Sequence, residues 1–462
     1  MYVNKKWSEF IMEIPAADKD SVLLCSTMGF NVIRVKRESD AYRAYVEKTT
    51  DRLTPTQEST LEKSEFLIDP DFDERAYCDF FNLRSMYADS RLSMTILPTD
   101  ACNFRCVYCY ESAENHFLSE ESEKAILKFL RLNLRKYRDF HLAWFGGEPL
   151  VRKEQVLRMT KEINALCKAY GVTFSGSITT NGYELDESTF EELVRNRILS
   201  YLICIDGNQT SHNRQRPHFQ NDDSYQRIMS NIKAIKNNCK SRAFLITLRS
   251  NVTAQTEQYM DAYLDDLWQI IGDDKRFEIA FQGVREWGGE RIHDNHVEIV
   301  DSESRVYSEW YLKAAKRGFH SAERLHLDLN APFCAGNFIN GFIVNPDCSL
   351  HKCTLCYYNP ETKSRGSIGK INSAGVMEVD DTVVMNWLSR KNNHIERCDS
   401  CKLYPTCKGG HCPFFTNIGH SNMGQSKHCD ELNAMAIAKV KCMELKNLIP
   451  DLDDTGGQTH EQ

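Results

Sequence analysis

The sequence has no run approaching the roughly 18 apolar residues that a membrane span requires. Its opening residues, Met1-Tyr-Val-Asn-Lys-Lys-Trp-Ser-Glu-Phe10, lack the apolar core and small-residue cleavage site of a secretory signal. A surplus of positive charge is lacking too: Asp and Glu outnumber Lys and Arg 65 to 57, and the formal net charge of -8 argues against non-specific binding to nucleic acid. Neither a membrane nor a nucleic-acid partner is expected, and the chain is expected to stay in a reducing cytosol. What it has in abundance is cysteine, 18 in 462 residues. In that compartment clustered thiols bind metal or do redox chemistry rather than pair as disulfides. With 41% hydrophobic residues the chain can bury a large core, and its length suggests two or three domains.

Three of the cysteines, Cys102, Cys106 and Cys109, lie in the run Thr99-Asp-Ala-Cys-Asn-Phe-Arg-Cys-Val-Tyr-Cys-Tyr-Glu111. They supply three thiolates where an iron-sulfur cube takes four, which leaves one iron without a protein ligand. A structural zinc loop needs a fourth Cys or His close by, and His116, in a polar stretch, is the nearest candidate. The open cluster is the better reading. This CxxxCxxC spacing, with Tyr108 before the last Cys and Tyr110 after it, resembles the signature of the radical S-adenosylmethionine (SAM) enzymes. The resemblance implies a 4Fe-4S cluster whose open iron chelates the amino and carboxylate groups of SAM. The reduced cluster then gives one electron to the sulfonium to release a 5'-deoxyadenosyl radical.

From about residue 93 to 290, short apolar, β-branched runs alternate with amphipathic helical stretches, the pattern of a parallel α/β sheet. Six strands are predicted, at 93–97, 141–145, 173–178, 200–205, 243–248 and 276–281, giving a partial (β/α)6 barrel open on one side. Candidate site residues follow the carboxyl ends of the first four strands, the end where such barrels place their chemistry. The cysteine triad follows the first strand, Gly146-Gly-Glu-Pro149 the second, Thr179-Thr-Asn-Gly182 the third, and Asp206-Gly207 closes the fourth. Gly146 and Gly147 lack a Cβ and let backbone approach a ligand ammonium, with Glu148 as a negative acceptor. By the resemblance, this turn holds the amino group of SAM, Tyr108 contacts SAM, and Arg216 pairs with its carboxylate, with Arg214 close by. Thr180, Asn181 and Cys204 complete the expected cofactor-binding set, although the related sulfatase-maturing enzymes have Ser where Cys204 stands.

Nine more cysteines follow the barrel: Cys334, Cys348, Cys353, Cys356, Cys398, Cys401, Cys407, Cys412 and Cys429. A zinc ribbon pairing Cys353/Cys356 with Cys398/Cys401 leaves too many of them unexplained. Their spacing resembles the SPASM extension, which holds two auxiliary 4Fe-4S clusters, although four residues rather than three precede Cys412. The resemblance implies an outer cluster on Cys398, Cys401, Cys407 and Cys429 and an inner one on Cys334, Cys353 and Cys412. Cys348 or Cys356 completes the inner set, or neither does. The six remaining cysteines, Cys25, Cys78, Cys167, Cys204, Cys239 and Cys442, read as small core residues.

Residues 1–92 open with a hairpin, two β-rich runs within Val22–Val35 around Gly29, followed by helices from Thr54 and from about Asp73 to Tyr87. This unit resembles the leader-peptide recognition element of peptide-modifying SPASM enzymes, which takes an extended peptide as an added strand. The expected division is 1–92 for that unit, 93–310 for the barrel, 311–449 for a bridge and the SPASM region, and 450–462 for a disordered polar tail.

The resemblance implies an oxygen-sensitive enzyme that crosslinks a ribosomally made precursor peptide through a thioether or carbon-carbon bond, or epimerises it. It would use SAM, three 4Fe-4S clusters, a leader-bearing peptide and a low-potential reductant such as flavodoxin or ferredoxin. Two alternatives stand beside this expectation. One is an anaerobic sulfatase maturase forming formylglycine; there an Asp follows the SPASM Cys as base, whereas Thr354 follows Cys353 here, and no base is assigned. The other is an iron-sulfur electron-transfer or binding protein without SAM chemistry.

Overall fold

The computed structural model describes residues 5–112, 114–287, 289–300, 303–329, 334–389, 396–407 and 425–452. At its centre is a ten-stranded sheet. Six strands, Arg91–Ile96, Asp139–Trp144, Thr173–Thr180, Ile198–Cys204, Leu245–Val252 and Phe277–Gly283, pair in chain order and all parallel. These are the six strands read from the sequence, with ends shifted by up to four residues. A seventh parallel strand, Gly341–Val344, pairs with Arg91–Ile96 on the far side. It continues through antiparallel Ser349–His351, Ser367–Ile371 and Met377–Val379. The first barrel strand is therefore not an edge, and the region beyond residue 310 is partly an extension of the barrel sheet.

The crossover helices form for the reasons their sequences suggest. In Glu120–Asn133, the Ser119 side chain caps the Ser122 N–H and three acidic residues occupy the first turn. Ala125, Ile126, Phe129 and Leu130 form the buried face, and the Arg158 guanidinium, 2.7 Å away, neutralises the inward Glu123. One apolar core lies on a single face of the sheet, where Leu92, Phe140, Ile246 and Phe342 point the same way, and it takes in Trp310.

The amino-terminal unit is an antiparallel sheet in the order Ile11–Pro15, Ser21–Ser26, Asn31–Lys36. The predicted hairpin is its second and third strands. Both predicted helices are present: Pro55–Lys63 starts from a Thr54/Gln57 capping box, and Glu74–Met86 from an Asp73 cap. One sheet face packs on Asp40–Glu47 and Pro55–Lys63 through Val22, Leu24, Ile33 and Val35. The other packs on the helix Gln425–Leu445 through Met12, Ile14, Leu23 and Cys25. That helix carries two apolar stripes of period four: Ala434, Ala438 and Cys442 join the barrel core, while Ala436 and Val440 face the amino-terminal sheet. It is the wedge that fixes the two bodies together.

Two readings of the sequence need correction. Residues 450–452, assigned to the disordered tail, are packed, with Leu452 only 1% exposed. Cys348 is not beside Cys353. It sits at the tip of the 341–351 hairpin with φ +63, and its Sγ faces the Ser122 carbonyl at 3.6 Å. The extended strand between Cys348 and Cys353 separates them by roughly 15 Å.

Candidate active site at the barrel mouth

The cysteine loop is held by backbone bonds to two neighbouring loops. Arg105 N–H donates to Pro217 O at 2.8 Å and Val107 N–H to Gln215 O at 3.0 Å. Gly147 N–H donates to Thr99 O and Glu148 N–H to Ala101 O at 2.9 Å. Gly146 and Gly147, which line the cavity, also have a packing job. A Cβ on Gly146, whose φ is +126, would lie 2.3 Å from Thr99 O, and one on Gly147 2.3 Å from Ala101 O. Their bare faces admit the cysteine loop itself. His116, the candidate fourth zinc ligand, is turned onto Asp100, with Nδ1 2.7 Å from Oδ2.

Cys102, Cys106 and Cys109 line one cavity of about 190 Å³ with Tyr108, Gly146, Gly147, Glu148, Thr180, Asn181, Cys204 and Arg216. Every barrel residue expected at the site is therefore in its wall. Burial pushes the Cys106 thiol up to about 11, so an unmetallated triad is protonated at neutral pH. Glu148, 1% exposed, joins two loops: its carboxylate accepts from Leu150 N–H at 2.9 Å, Asn181 N–H at 2.6 Å and the Thr180 hydroxyl at 2.8 Å. Burial outweighs those bonds and raises it to about 7. Asn181 also donates from Nδ2 to Asn103 Oδ1 at 2.7 Å.

On the opposite wall, the Tyr108 hydroxyl accepts from Arg216 Nη1 at 2.6 Å and Asn251 Nδ2 at 2.9 Å and donates to the buried Asp206. Asp206 also accepts from Asn251 N–H at 2.8 Å. This network fixes the guanidinium and leaves the buried Arg216 Nε without a protein partner among the described residues. A buried donor in such a cavity calls for an acceptor from a ligand. An amino-acid ligand fits this wall: a carboxylate for Arg216 Nε, an amine for Glu148, and three thiols for a metal cluster.

Sequence reasoning overlooked Glu111, Arg249, Asn251, Arg285 and Trp287, which also line the cavity. They belong to no motif; position just past a predicted strand end was the available signal for Asn251 and Arg285. Glu111 is held well above the usual carboxylate range, chiefly by burial and then by nearby Glu148.

Cys398, Cys401, Cys407 and Cys429 line a second cavity, of about 480 Å³, whose far wall is Ile11, Met12, Glu13 and Tyr45. The Cys353 thiol is held well above its ordinary range by the neighbouring Cys356 and by burial, and the Cys334 thiol, raised chiefly by burial, also feels Cys353. Just ahead of Cys353, the buried Lys352 ammonium donates to Phe338 O at 2.6 Å, Ile339 O at 2.9 Å and Gly341 O at 2.8 Å. It ties this strand end to the segment that follows Cys334. Cys412 lies outside the described residues. Tyr110 links the two regions, 3.4 Å from the Thr354 hydroxyl and edge-on to Tyr358.

Residues 96–264 match the family model described as the Radical SAM superfamily. That stretch is a radical SAM domain, and the chain is an enzyme built on it. The chain is 24% identical over 343 residues to the cysteine-type anaerobic sulfatase-maturating enzyme of Clostridium novyi (strain NT), covering 69% of this chain and 87% of that one. It is 23% identical over 348 residues to the Fe-coproporphyrin III synthase of Methanosarcina barkeri (strain Fusaro / DSM 804), covering 67% and 80%. Among solved structures, the one described as "Native anSMEcpe with bound AdoMet and Kp18Cys peptide" superposes with a TM-score of 0.56 at 17% identity, covering 78% of this chain and 100% of that one. The fold is α/β, a radical SAM partial barrel with a cysteine-rich SPASM-type carboxyl-terminal part.

Proposed function

We propose that this enzyme modifies a ribosomally made precursor peptide by abstracting a hydrogen atom from an unactivated carbon. The observation that carries the reading is the single cavity in which three thiols, Glu148 and the unpartnered Arg216 Nε converge. Cys102, Cys106 and Cys109 would hold a 4Fe-4S cluster with an iron open to SAM. Bound there, the pair supplies one-electron cleavage of the sulfonium and thereby the hydrogen-abstracting group. Glu148 as carboxylate would accept the SAM amino N–H, and Arg216 Nε would donate to the SAM carboxylate. Tyr108, Asp206 and Asn251 keep that guanidinium from swinging away. Phe145, Leu202, Val284 and Trp287 supply apolar wall that keeps bulk water from the reacting carbon.

Cys398, Cys401, Cys407 and Cys429 would hold the outer auxiliary cluster, and Cys334, Cys353 and Cys412, joined by Cys356, the inner one. A flavodoxin or ferredoxin is the proposed reductant. A peptide substrate is supported by the sheet-and-helix unit of residues 1–92 and by the peptide bound to the structural neighbour. The modification is a thioether or carbon-carbon crosslink, or an epimerisation.

The sulfatase-maturase reading is favoured by the names of several relatives. Against it, Thr354 follows Cys353, and a threonine hydroxyl cannot serve as the carboxylate base expected there. The test is anaerobic reconstitution with dithionite and SAM. 5'-Deoxyadenosine should form, and a short peptide encoded beside the gene should change in mass if it is crosslinked, or take up deuterium from D2O if it is epimerised. Conversion of a sulfatase-derived Cys or Ser peptide to formylglycine, with no change in the encoded peptide, would favour the maturase of sulfatases.

A further inference from the structure

The strand Asn31–Lys36 is one edge of the amino-terminal sheet, and part of that edge is already taken. Residues 450–452 run parallel to it. Arg34 N–H donates to Pro450 O at 2.9 Å, and Leu452 N–H donates to Arg34 O at 3.0 Å. Leu452 packs into the cluster formed by Trp7, Ile33, Val35, Ala44 and Leu61, between the sheet and its two helices. The Asp451 carboxylate lies 3.4 Å from Arg34 Nε. This is how an extended peptide joins a sheet: main-chain bonds for affinity, and one apolar and one charged side chain for selectivity.

We propose that Pro450-Asp451-Leu452 is a displaceable occupant of the enzyme's own peptide groove, and that the precursor peptide takes its place with an extended segment bearing an acidic residue followed by a leucine-like one. The inference rests on the peptide-modifying reading above. Among the described residues the bridge fills a single rung at Arg34, whereas an incoming strand of five or six residues makes several. The tether gives the chain's own segment an effective concentration on the order of millimolar. A peptide with more rungs and the same leucine anchor overcomes that advantage, and one without the anchor does not. The segment thus covers a sheet edge that would otherwise recruit stray strands, and sets a threshold for genuine substrate.

The test uses a fluorescein-labelled peptide of residues 449–462 with three proteins: the full chain, the chain lacking 450–462, and the full-length Leu452→Asp variant. The labelled peptide should bind the shortened chain saturably and the full chain at least about tenfold more weakly. Leu452→Asp, which empties the leucine slot without shortening the chain, should bind it like the shortened protein and gives the same readout if truncation prevents folding. A folded shortened chain or Leu452→Asp variant that ignores the peptide overturns the proposal. Displacement of the labelled peptide by the precursor encoded beside the gene supports it. A precursor that is modified without displacing the label overturns the shared groove yet leaves the peptide-modifying reading standing. Displacement without any modification does the reverse.

Discussion

The two cysteine regions sit in opposite kinds of surroundings. At the barrel mouth the thiols ride on a loop clamped by Gln215, Pro217, Gly147 and Glu148, and much of the remaining wall lies at or just past the ends of strands in a common sheet. A polar network of Tyr108, Asp206, Asn251 and Arg216 lines that site and leaves Arg216 Nε open. The second cavity instead lies between the short helices Glu396–Ser400 and Tyr404–Cys407, the helix Gln425–Leu445 and the edge of another sheet. Its four thiols face apolar Ile11, Met12, Leu403 and Leu432. The βα units build the first site whether or not a cofactor is present. Among the described residues the second is framed by short helices and one flank of Gln425–Leu445, and a metal cluster would be its core, as in small metal-organised domains.

The sharpest break between the regions is chemical. Replacing Cys102, Cys106 and Cys109 together by Ala should abolish 5'-deoxyadenosine formation while about two thirds of the iron stays, as three cubane sites require. Deoxyadenosine from the triple variant would dismiss the triad as the SAM site. Metal content checks the other half of the comparison. Anaerobically purified protein should carry iron for three cubanes and negligible zinc; one cluster plus stoichiometric zinc would restore the zinc ribbon.

Removing the metal should separate the regions physically. After chelation, amide exchange should rise across Glu396–Cys407 and the start of Gln425–Leu445, while the six barrel strands keep their protection. Uniform loosening of the whole chain would mean that the barrel too depends on metal. Within the barrel, Gly147→Ala forces a Cβ to within 2.4 Å of two backbone carbonyls, Asp100 O and Ala101 O. It should cost about 2–3 kcal/mol in denaturant unfolding and lower the triad's iron occupancy. Gly171→Ala, at a helix end with φ +69 and no atom within 4 Å, should cost only about 1 kcal/mol and leave iron unchanged.

What the sequence disclosed follows the same division. The six barrel strands are short runs in which alternate residues are apolar and buried against the helices, and their order along the chain is their order in space. Residues placed at the ends of those strands landed in one cavity for that reason. The seventh parallel strand, Gly341–Val344, is short and pairs with a partner some 250 positions earlier, so its role depends on contacts no local pattern encodes. Leu452 is one leucine in a polar tail, and its burial is decided by a slot between Trp7 and Leu61. Asn251 and Asp206 carry no recognisable spacing; their link through Tyr108 exists because three neighbouring loops converge. Cys348 misled because spacing alone cannot show that a hairpin turns it away from Cys353.

The gentlest probe of the barrel side is pH. Glu148 is raised to about 7, so near neutrality the free enzyme holds it half protonated. Because its folded value lies above the ordinary one, its protonated form favours folding, and that contribution is lost as pH rises through 7. SAM binding runs the other way, since the carboxylate is the form that accepts an amino N–H. Between pH 6 and pH 8 the affinity for SAM should rise about tenfold from this group alone. The SAM amine titrates nearby and adds its own slope, so the decisive comparison is Glu148→Gln by equilibrium dialysis under anaerobic conditions. The variant should bind more weakly at pH 8 and lose the tenfold share of the slope. An unchanged profile would leave Glu148 as a tie between the second and third strand loops, through Asn181 and Thr180, with no hand in holding SAM.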